Sequence, residues 1–211
     1  MRFADAFSEF GAIAEFKRRS PSAGSLRPGG DPAEVARAYE AAGALAMSVL
    51  VDARFDGTWD DLRAARAATS LPLLAKGFFT TSEQLRTARE AGADAVLLLL
   101  RDLDDDTCRE LMQEGDALVE AHDAAEVRRA IDLDAPIVGI NARDLSTFDV
   151  NRDAQLELVR TVTGRIVVAE SGIATREDVL EAKDAGASAV LVGSTLMRSD
   201  DPGAKLKELI A

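Results

Sequence analysis

A short junction recurs three times along the chain, and it limits the available folds more than any other feature. Ala42-Gly43-Ala44-Leu45-Ala46, Ala91-Gly92-Ala93-Asp94-Ala95 and Ala185-Gly186-Ala187-Ser188-Ala189 each close a helical pattern and open an apolar run. Glycine suits the left-handed residue just past a helix end, so each junction reads as a helix stop followed by a strand. The runs that follow, Met47–Val51, Val96–Leu100 and Val190–Gly193, are apolar and strand-sized. Five more fill the gaps: Ala12–Phe16, Leu73–Lys76, Ala117–Glu120, Ile137–Ile140 and Ile166–Ala169. Between them lie stretches of helical period: Pro32–Ala42, Trp59–Ala68, Ser82–Ala91, Asp105–Glu114, Ala124–Asp132, Arg152–Thr161, Arg176–Ala185 and Pro202–Ile210. Asp31 before Pro32 and Thr175 before Arg176-Glu177-Asp178 stand where helix N-caps are needed.

Strict alternation of near-continuous apolar strands with helices indicates a parallel sheet covered on its outer face. Eight such units predict an α/β fold of the (β/α)8 TIM-barrel type. An open doubly wound sheet is the alternative, but no Gly-x-Gly-x-x-Gly turn follows the first strand. Barrels of this class usually take about 250 residues, with about 200 near the lower limit. The 211 residues here therefore make one lean domain spanning 1–211. No linker or low-complexity segment divides it, and Ser20–Gly30, rich in Ser, Pro and Gly, reads as a long first loop.

Composition removes several classes of function. With 25 basic and 37 acidic residues the net charge is −12, which argues against a nucleic-acid partner. No apolar run approaches the ~20 residues of a membrane span, and Met1–Gly11 lacks the pattern of a signal peptide. A single cysteine, Cys108, excludes an internal disulfide and fits a reducing cytoplasm; its polar helical surroundings do not suggest a catalytic thiol. With one histidine and no cysteine cluster, no metal site is expected. The residues leave the oligomeric state open, with a monomer slightly favoured.

In a barrel, alternate strand residues face inward and chemistry sits at the C-terminal strand ends. Charge falls there repeatedly. Glu15 and Lys17 end the first strand on one face, Lys76 ends the third, Glu120 the fifth, Asn141 and Arg143 the sixth, and Glu170 the seventh. Any one of them reads as a structural ion pair; Lys76 alone would serve to neutralise Glu120. Converging at one mouth, they predict a functional site, because buried charge is costly unless it is paired or meets a ligand. Phe55 and Phe78, near the ends of strands two and three, suit either an aromatic pocket or the core. Glu170-Ser171-Gly172-Ile173 after strand seven and Val192-Gly193-Ser194 after strand eight are placed to offer backbone N–H groups to a phosphate. His122, of the same parity as Glu120, reads as a residue of the loop that begins the next helix rather than as a catalyst. Tyr39 and Trp59 fall on helices and read as packing residues.

These residues resemble the indole-3-glycerol phosphate synthases of tryptophan biosynthesis. The matching segments run in order along nearly the whole chain: 13–22 (Ile-Ala-Glu-Phe-Lys-Arg-Arg-Ser-Pro-Ser), 48–50, 73–78 (Leu-Leu-Ala-Lys-Gly-Phe), 92–98, 118–123, 139–145 (Gly-Ile-Asn-Ala-Arg-Asp-Leu), 169–173 (Ala-Glu-Ser-Gly-Ile) and 191–194. The resemblance implies a cytoplasmic carboxy-lyase, without metal or organic cofactor, acting on a small phosphorylated substrate. That substrate is a carboxyphenylamino-deoxyribulose 5-phosphate, converted to indole-3-glycerol phosphate with loss of carbon dioxide and water. It implies Lys76 as general acid at the ribulose carbonyl, Glu120 assisting there, and Glu15 with Lys17 in the dehydration. Asn141, Arg143, Glu170, Ser171, Phe55, Phe78 and Ser20 would bind the substrate, with Lys17, Gly172, Gly193 and Ser194 on its phosphate.

Three departures from the family pattern stand out. Members usually carry a longer N-terminal segment with an extra helix over the mouth, whereas only Met1–Gly11 precede the first expected strand. Without that lid, exclusion of water and grip on the anthranilate ring would suffer. Gly77 follows Lys76 where the family usually has Asp, so the lysine loses a neighbouring carboxylate. Val51 replaces a usual threonine, the loop after strand two is short, and Met112–Asp116 looks clipped. The alternatives on the same scaffold are a sugar-phosphate isomerase or aldolase, and a catalytically impaired barrel that binds phosphorylated ligands.

Overall fold

The Gly43, Gly92 and Gly186 junctions adopt φ angles of 86°, 106° and 102°, so each ends a helix in the left-handed region that glycine alone enters freely. In the computed structural model, which describes residues 3–144 and 147–211, eight strands follow from this punctuation. They are β1 (Gly11–Phe16), β2 (Ala46–Leu50), β3 (Leu73–Lys76), β4 (Ala95–Leu99), β5 (Asp116–Ala121), β6 (Ile137–Asn141), β7 (Ile166–Glu170) and β8 (Ala189–Val192). Each pairs in parallel with its neighbour in the chain, and β8 returns to β1, closing the (β/α)8 barrel. The helices are α1 (Pro32–Ala42), α2 (Trp59–Ala68), α3 (Ser82–Glu90), α4 (Asp105–Gln113), α5 (Ala124–Asp132), α6 (Arg152–Thr161) and α7 (Arg176–Asp184). A short α8 (Ser194–Arg198) and α9 (Pro202–Ile210) complete the chain. Asp31 accepts from the Ala33 N–H and Thr175 forms a capping box with Asp178, as their positions predict. Among the described residues no helix is long and apolar enough to cross a membrane.

The strand residues sort into two layers by parity. One set, including Ile13, Ala46, Leu74, Leu97, Leu118, Ile137, Val168 and Leu191, fills the barrel interior. The other set, including Ala12, Ala14, Met47, Val49, Ala75, Leu98, Val119 and Val190, packs against the helices. Burial on both faces is why the strands read as continuous apolar runs. Phe3 sits fully buried against the interior set, with the Phe7 ring edge-on at 5.3 Å. The Ala4 N–H donates to Asp116 at the start of β5, so this turn closes the end of the barrel opposite the charged strand ends.

The long first loop is more ordered than a Ser/Pro/Gly-rich stretch suggests. Arg19–Ser20 pairs antiparallel with Gly24–Ser25. The reversal is possible because Gly24 takes φ 68° and Ser20 Oγ accepts from the Ala23 N–H at 3.0 Å. Arg18 fixes the loop to α2: its guanidinium meets Asp61 through two bonds of 2.8 and 2.6 Å and also donates to the carbonyls of Gly30 and Asp56. Asp61 in turn accepts from the Thr58 N–H and caps α2. One carboxylate thus ties together a helix start and the loop that carries Lys17 and Ser20 into the mouth. Asp61→Ala should lower stability by about 2–3 kcal/mol, since it removes a charge-assisted pair and a cap together. Urea denaturation of the two proteins measures the difference.

Candidate active site

Five interior-facing strand positions change from apolar to polar at the same end of the barrel. Going two residues along each strand, which keeps the face, Ile13 leads to Glu15, Leu74 to Lys76, Leu118 to Glu120, Gly139 to Asn141 and Val168 to Glu170. Strand register sets their spacing: Leu50 lies beside Lys76, Leu99 beside Glu120, and Asn141 beside Glu170. The three carboxylates are buried, and Lys76 reaches into their midst. Its Nζ lies 2.5 Å from Glu170 Oε2, 3.6 Å from Glu120 Oε2 and 3.7 Å from Glu15 Oε2. Lys17 Nζ pairs with the other oxygen of Glu15 at 2.6 Å.

Lys76 therefore does more than neutralise Glu120, as it makes its shortest contact with Glu170. Burial works against the ammonium, yet the three surrounding carboxylates outweigh it and hold the Lys76 pKa above its ordinary value. The carboxylates divide. Burial raises Glu170, the charge of Glu120 adds to that, and Lys76 only partly offsets them, so Glu170 holds a proton to higher pH than an ordinary glutamate. Glu120 is buried as well, but Lys76, His122 and the Asn141 amide keep it below the usual carboxylate range. Burial also opposes ionisation of Glu15, and Lys17 with Lys76 prevails and lowers it. Neighbouring acids whose environments push their pKa values apart are suited to separate acid and base duties.

Around this cluster lies a cavity of about 300 Å³ that takes in every site residue read from the sequence. Glu15, Lys17, Ser20, Phe55, Lys76, Phe78, Glu120, Asn141, Arg143, Glu170, Ser171, Gly172, Gly193 and Ser194 all line it. The Asn141 amide donates to Glu120 Oε1 at 2.9 Å, and its own carbonyl accepts from the Arg143 N–H at 2.9 Å. The Arg143 guanidinium donates to the Phe148 carbonyl. Arg54, gripped by Asp52, stacks on the Phe78 ring at 3.5 Å, which fixes one aromatic wall. Ser171 and Gly172, at φ 69° and 75°, turn the chain sharply after β7. The Thr195 hydroxyl of α8 donates to the Ile173 carbonyl at 2.6 Å, joining the two Gly-Ser loops. Among the described residues no side chain caps the N-terminus of α8. Leu145, part of the family-like segment, lies outside the described residues.

Several residues shape the site in ways that the sequence does not spell out. A Cβ on Gly139 would stand 2.2 Å from Glu170 Oε1, and one on Gly193 would stand 2.3 Å from Glu15 Oε1. Both glycines leave room for a carboxylate, which for Gly193 adds to its place in the loop. Gln155 of α6 is buried and donates to the carbonyls of Ile140 and Glu170, so it bridges the ends of β6 and β7. The Tyr39 hydroxyl donates to the Glu15 carbonyl, so this packing residue also fixes the end of β1. Trp59 stacks on Phe79, outside the cavity. A polar residue at an apolar helix position was the one clue to Gln155. Cys108 is buried on the inner face of α4, and burial pushes its thiol up to about 11, away from reactivity. Among the described residues no group of three or more His, Cys, Asp or Glu stands in a metal-holding arrangement.

The sequence profile of one family, indole-3-glycerol phosphate synthase, matches residues 2–209. The chain belongs to the indole-3-glycerol phosphate synthase family. Curated members agree. The enzyme of Laribacter hongkongensis is 44% identical over 95% of this chain and 80% of its own length. Those of Mycobacterium ulcerans and a Nocardioides species are 44% and 48% identical, over 95% and 93% of this chain and 76% and 78% of theirs. Solved structures of lower identity share the barrel alone. A thiamine phosphate pyrophosphorylase from Pyrococcus furiosus superposes with a TM-score of 0.71 at 17% identity, covering 97% of this chain and 94% of that one. A mandelate oxidase bound to (S)-2-phenylpropionate gives 0.67 at 19%, covering 95% and 69%. Indole-3-glycerol phosphate synthase activity makes the chain a carboxy-lyase of tryptophan biosynthesis. Gly139→Ala should force Glu170 off Lys76 and lower stability by about 1–3 kcal/mol, the usual range for overpacking. Chemical denaturation reads it directly.

Proposed function

We propose that the buried lysine–carboxylate cluster closes the ring of 1-(2-carboxyphenylamino)-1-deoxyribulose 5-phosphate by general acid–base catalysis. Lys76 gives its proton to the ribulose carbonyl oxygen as the aromatic carbon attacks, and carbon dioxide then leaves the ring. Glu120 assists at that centre. Lys17 and Glu15 carry out the dehydration, one protonating the departing hydroxyl and the other taking the ring proton. The observation that carries this assignment is the position of Lys76 Nζ, buried against three carboxylates and still lining the cavity. An ammonium so held is fully charged at neutral pH and stands ready as a donor.

The rest of the cavity suits the remainder of the substrate. Phe55, Phe78 and the apolar Leu97, Leu99 and Leu191 offer a slot for the aromatic ring, while Asn141, Arg143, Glu170, Ser171 and Ser20 orient the polar chain. Lys17 and the backbone around Gly172, Gly193 and Ser194 would receive the phosphate; the uncapped start of α8 leaves N–H groups for it. The chemistry calls for no metal or organic cofactor. The same reading has the protein act as a monomer in the cytoplasm, without nucleic-acid or membrane partners.

Lys76→Met should abolish product formation, by at least 10²–10⁴-fold, while inorganic phosphate still binds. Indole fluorescence measures the first and calorimetry the second; a variant that keeps most of its activity would remove Lys76 from the role. Ser194→Asp should instead raise KM by repelling the phosphate, with a smaller effect on kcat.

A further inference from the structure

Taking the reaction above as given, its proton balance is not closed by the lysines and carboxylates that line the cavity. The substrate enters with an ionised carboxylate, which departs as neutral carbon dioxide. Ring closure puts one proton on the carbonyl oxygen, and loss of that hydroxyl as water takes a second. The ring returns only one. Each turnover therefore consumes one proton from solvent, and Lys76 is left as a neutral amine until that proton arrives. Substrate or product in the 300 Å³ cavity would stand between Lys76 and solvent at the mouth.

A second cleft, of about 710 Å³ and open to solvent, is lined by His122 and Glu126 and shares Asn141 with the first. His122 stands between the two. Its Nε2 is 3.1 Å from Glu120 Oε1, close but without the alignment of a formed hydrogen bond. Its Nδ1 is 3.1 Å from Glu126 Oε2, and that same oxygen accepts from the His122 N–H at 2.8 Å. The imidazole is thus held edge-on between an interior carboxylate and one at the cleft. The Glu120 oxygen facing Lys76 makes no hydrogen bond and lies 3.6 Å from Nζ. The other charged groups around the cleft are Arg101, Asp123, Asp144 and Asp149.

We propose that His122 is the proton inlet of this site, returning to Lys76, by way of Glu120, the proton spent in ring closure. The imidazolium passes its Nε2 proton to Glu120 Oε1. Rotation of the carboxyl presents that proton to the neutral Lys76 amine; the His122 ring, still protonated at Nδ1, then flips so that its vacated Nε2 faces the cleft and takes a proton from water beside Glu126. No bond other than N–H and O–H changes, and the net result is one solvent proton moved to Nζ. The end points favour this direction, and Glu120 is only a transient carrier, whose largest lowering influence, the charge of Lys76, is gone while that amine is neutral. Burial lowers the imidazole pKa, but Glu120 and Glu126 outweigh it and raise it to about 9, so solvent recharges it at neutral pH. The Lys76 amine holds a proton more tightly still. His122 touches no substrate and is a positioning and relay residue rather than a catalytic one.

The test separates the first turnover from later ones. In His122→Gln the first ring closure should run at close to the wild-type rate, because Lys76 starts charged. Later turnovers should slow on the order of 100-fold, giving a burst of one product per site followed by a slow phase that added imidazole speeds. Equal loss in the first and later turnovers would make His122 structural and overturn the proposal, as would an unchanged steady-state rate. A wild-type chain inactive on this substrate would overturn the assigned reaction together with the relay, whereas an active wild type with an unaffected variant sinks the relay alone. Because the chain has a single histidine, its NMR titration is unambiguous. It should titrate near 9, and lower in Glu126→Gln; a wild-type midpoint at the ordinary ~6.5 would overturn the relay.

Discussion

An ammonium taken out of water costs several kcal/mol even after the protein relaxes around it, and a carboxylate costs as much. The barrel buries one of the first and three of the second at a single mouth. Lys76 makes this arrangement possible, since without it Glu15, Glu120 and Glu170 would be three like charges facing one another. The site has spare acidity as a result. One lysine cannot fully satisfy three carboxylates, so Glu170 is pushed toward its protonated form while Glu120 and Glu15, each with a second cationic neighbour, remain ionised. The division of labour among chemically identical side chains comes from which of them has His122 or Lys17 at its other oxygen.

The remaining architecture serves that cluster. Tyr39 and Gln155 hold the strand ends that carry Glu15 and Glu170 by bonding to their carbonyl oxygens. Gly139 and Gly193 leave out a side chain where a carboxylate needs the volume. Arg18 and Asp61 secure the loop that delivers Lys17. None of these groups needs to meet the substrate. Their effect is to keep the reacting groups from relaxing apart, which a set of mutually repelling buried charges would otherwise do.

Much of this was legible in the chain itself. The glycine punctuation fixed where helices stop, and Pro32–Ala42, Trp59–Ala68, Ala124–Asp132 and Arg152–Thr161 fold with the bounds that their apolar period indicates. The polar strand ends named the members of the site because parity is a local property: two residues along a strand return to the same face. The Arg19–Ser20 and Gly24–Ser25 pairing escaped notice because a two-residue ladder depends on one glycine φ and one serine bond. In sequence His122 reads as a loop residue, and its backbone does bond back to Glu126 at the start of α5. Its ring contact with Glu120 followed the same parity, but the contact with Glu126 needed the helix to fold back.

The sequence alone determined the alternation of strands and helices, the number of barrel units, and the identity of the charged groups at their ends. Each of these is written in residues a few positions apart, where backbone geometry and apolar period act. Only the tertiary structure decided which carboxylate Lys76 grips most closely and which one is driven to hold its proton. Those outcomes depend on strand register and on distances of 2.5 to 3.7 Å between residues up to 94 positions apart. Electrostatic energy in a low-dielectric interior varies steeply over that range, and no local pattern in the chain encodes it.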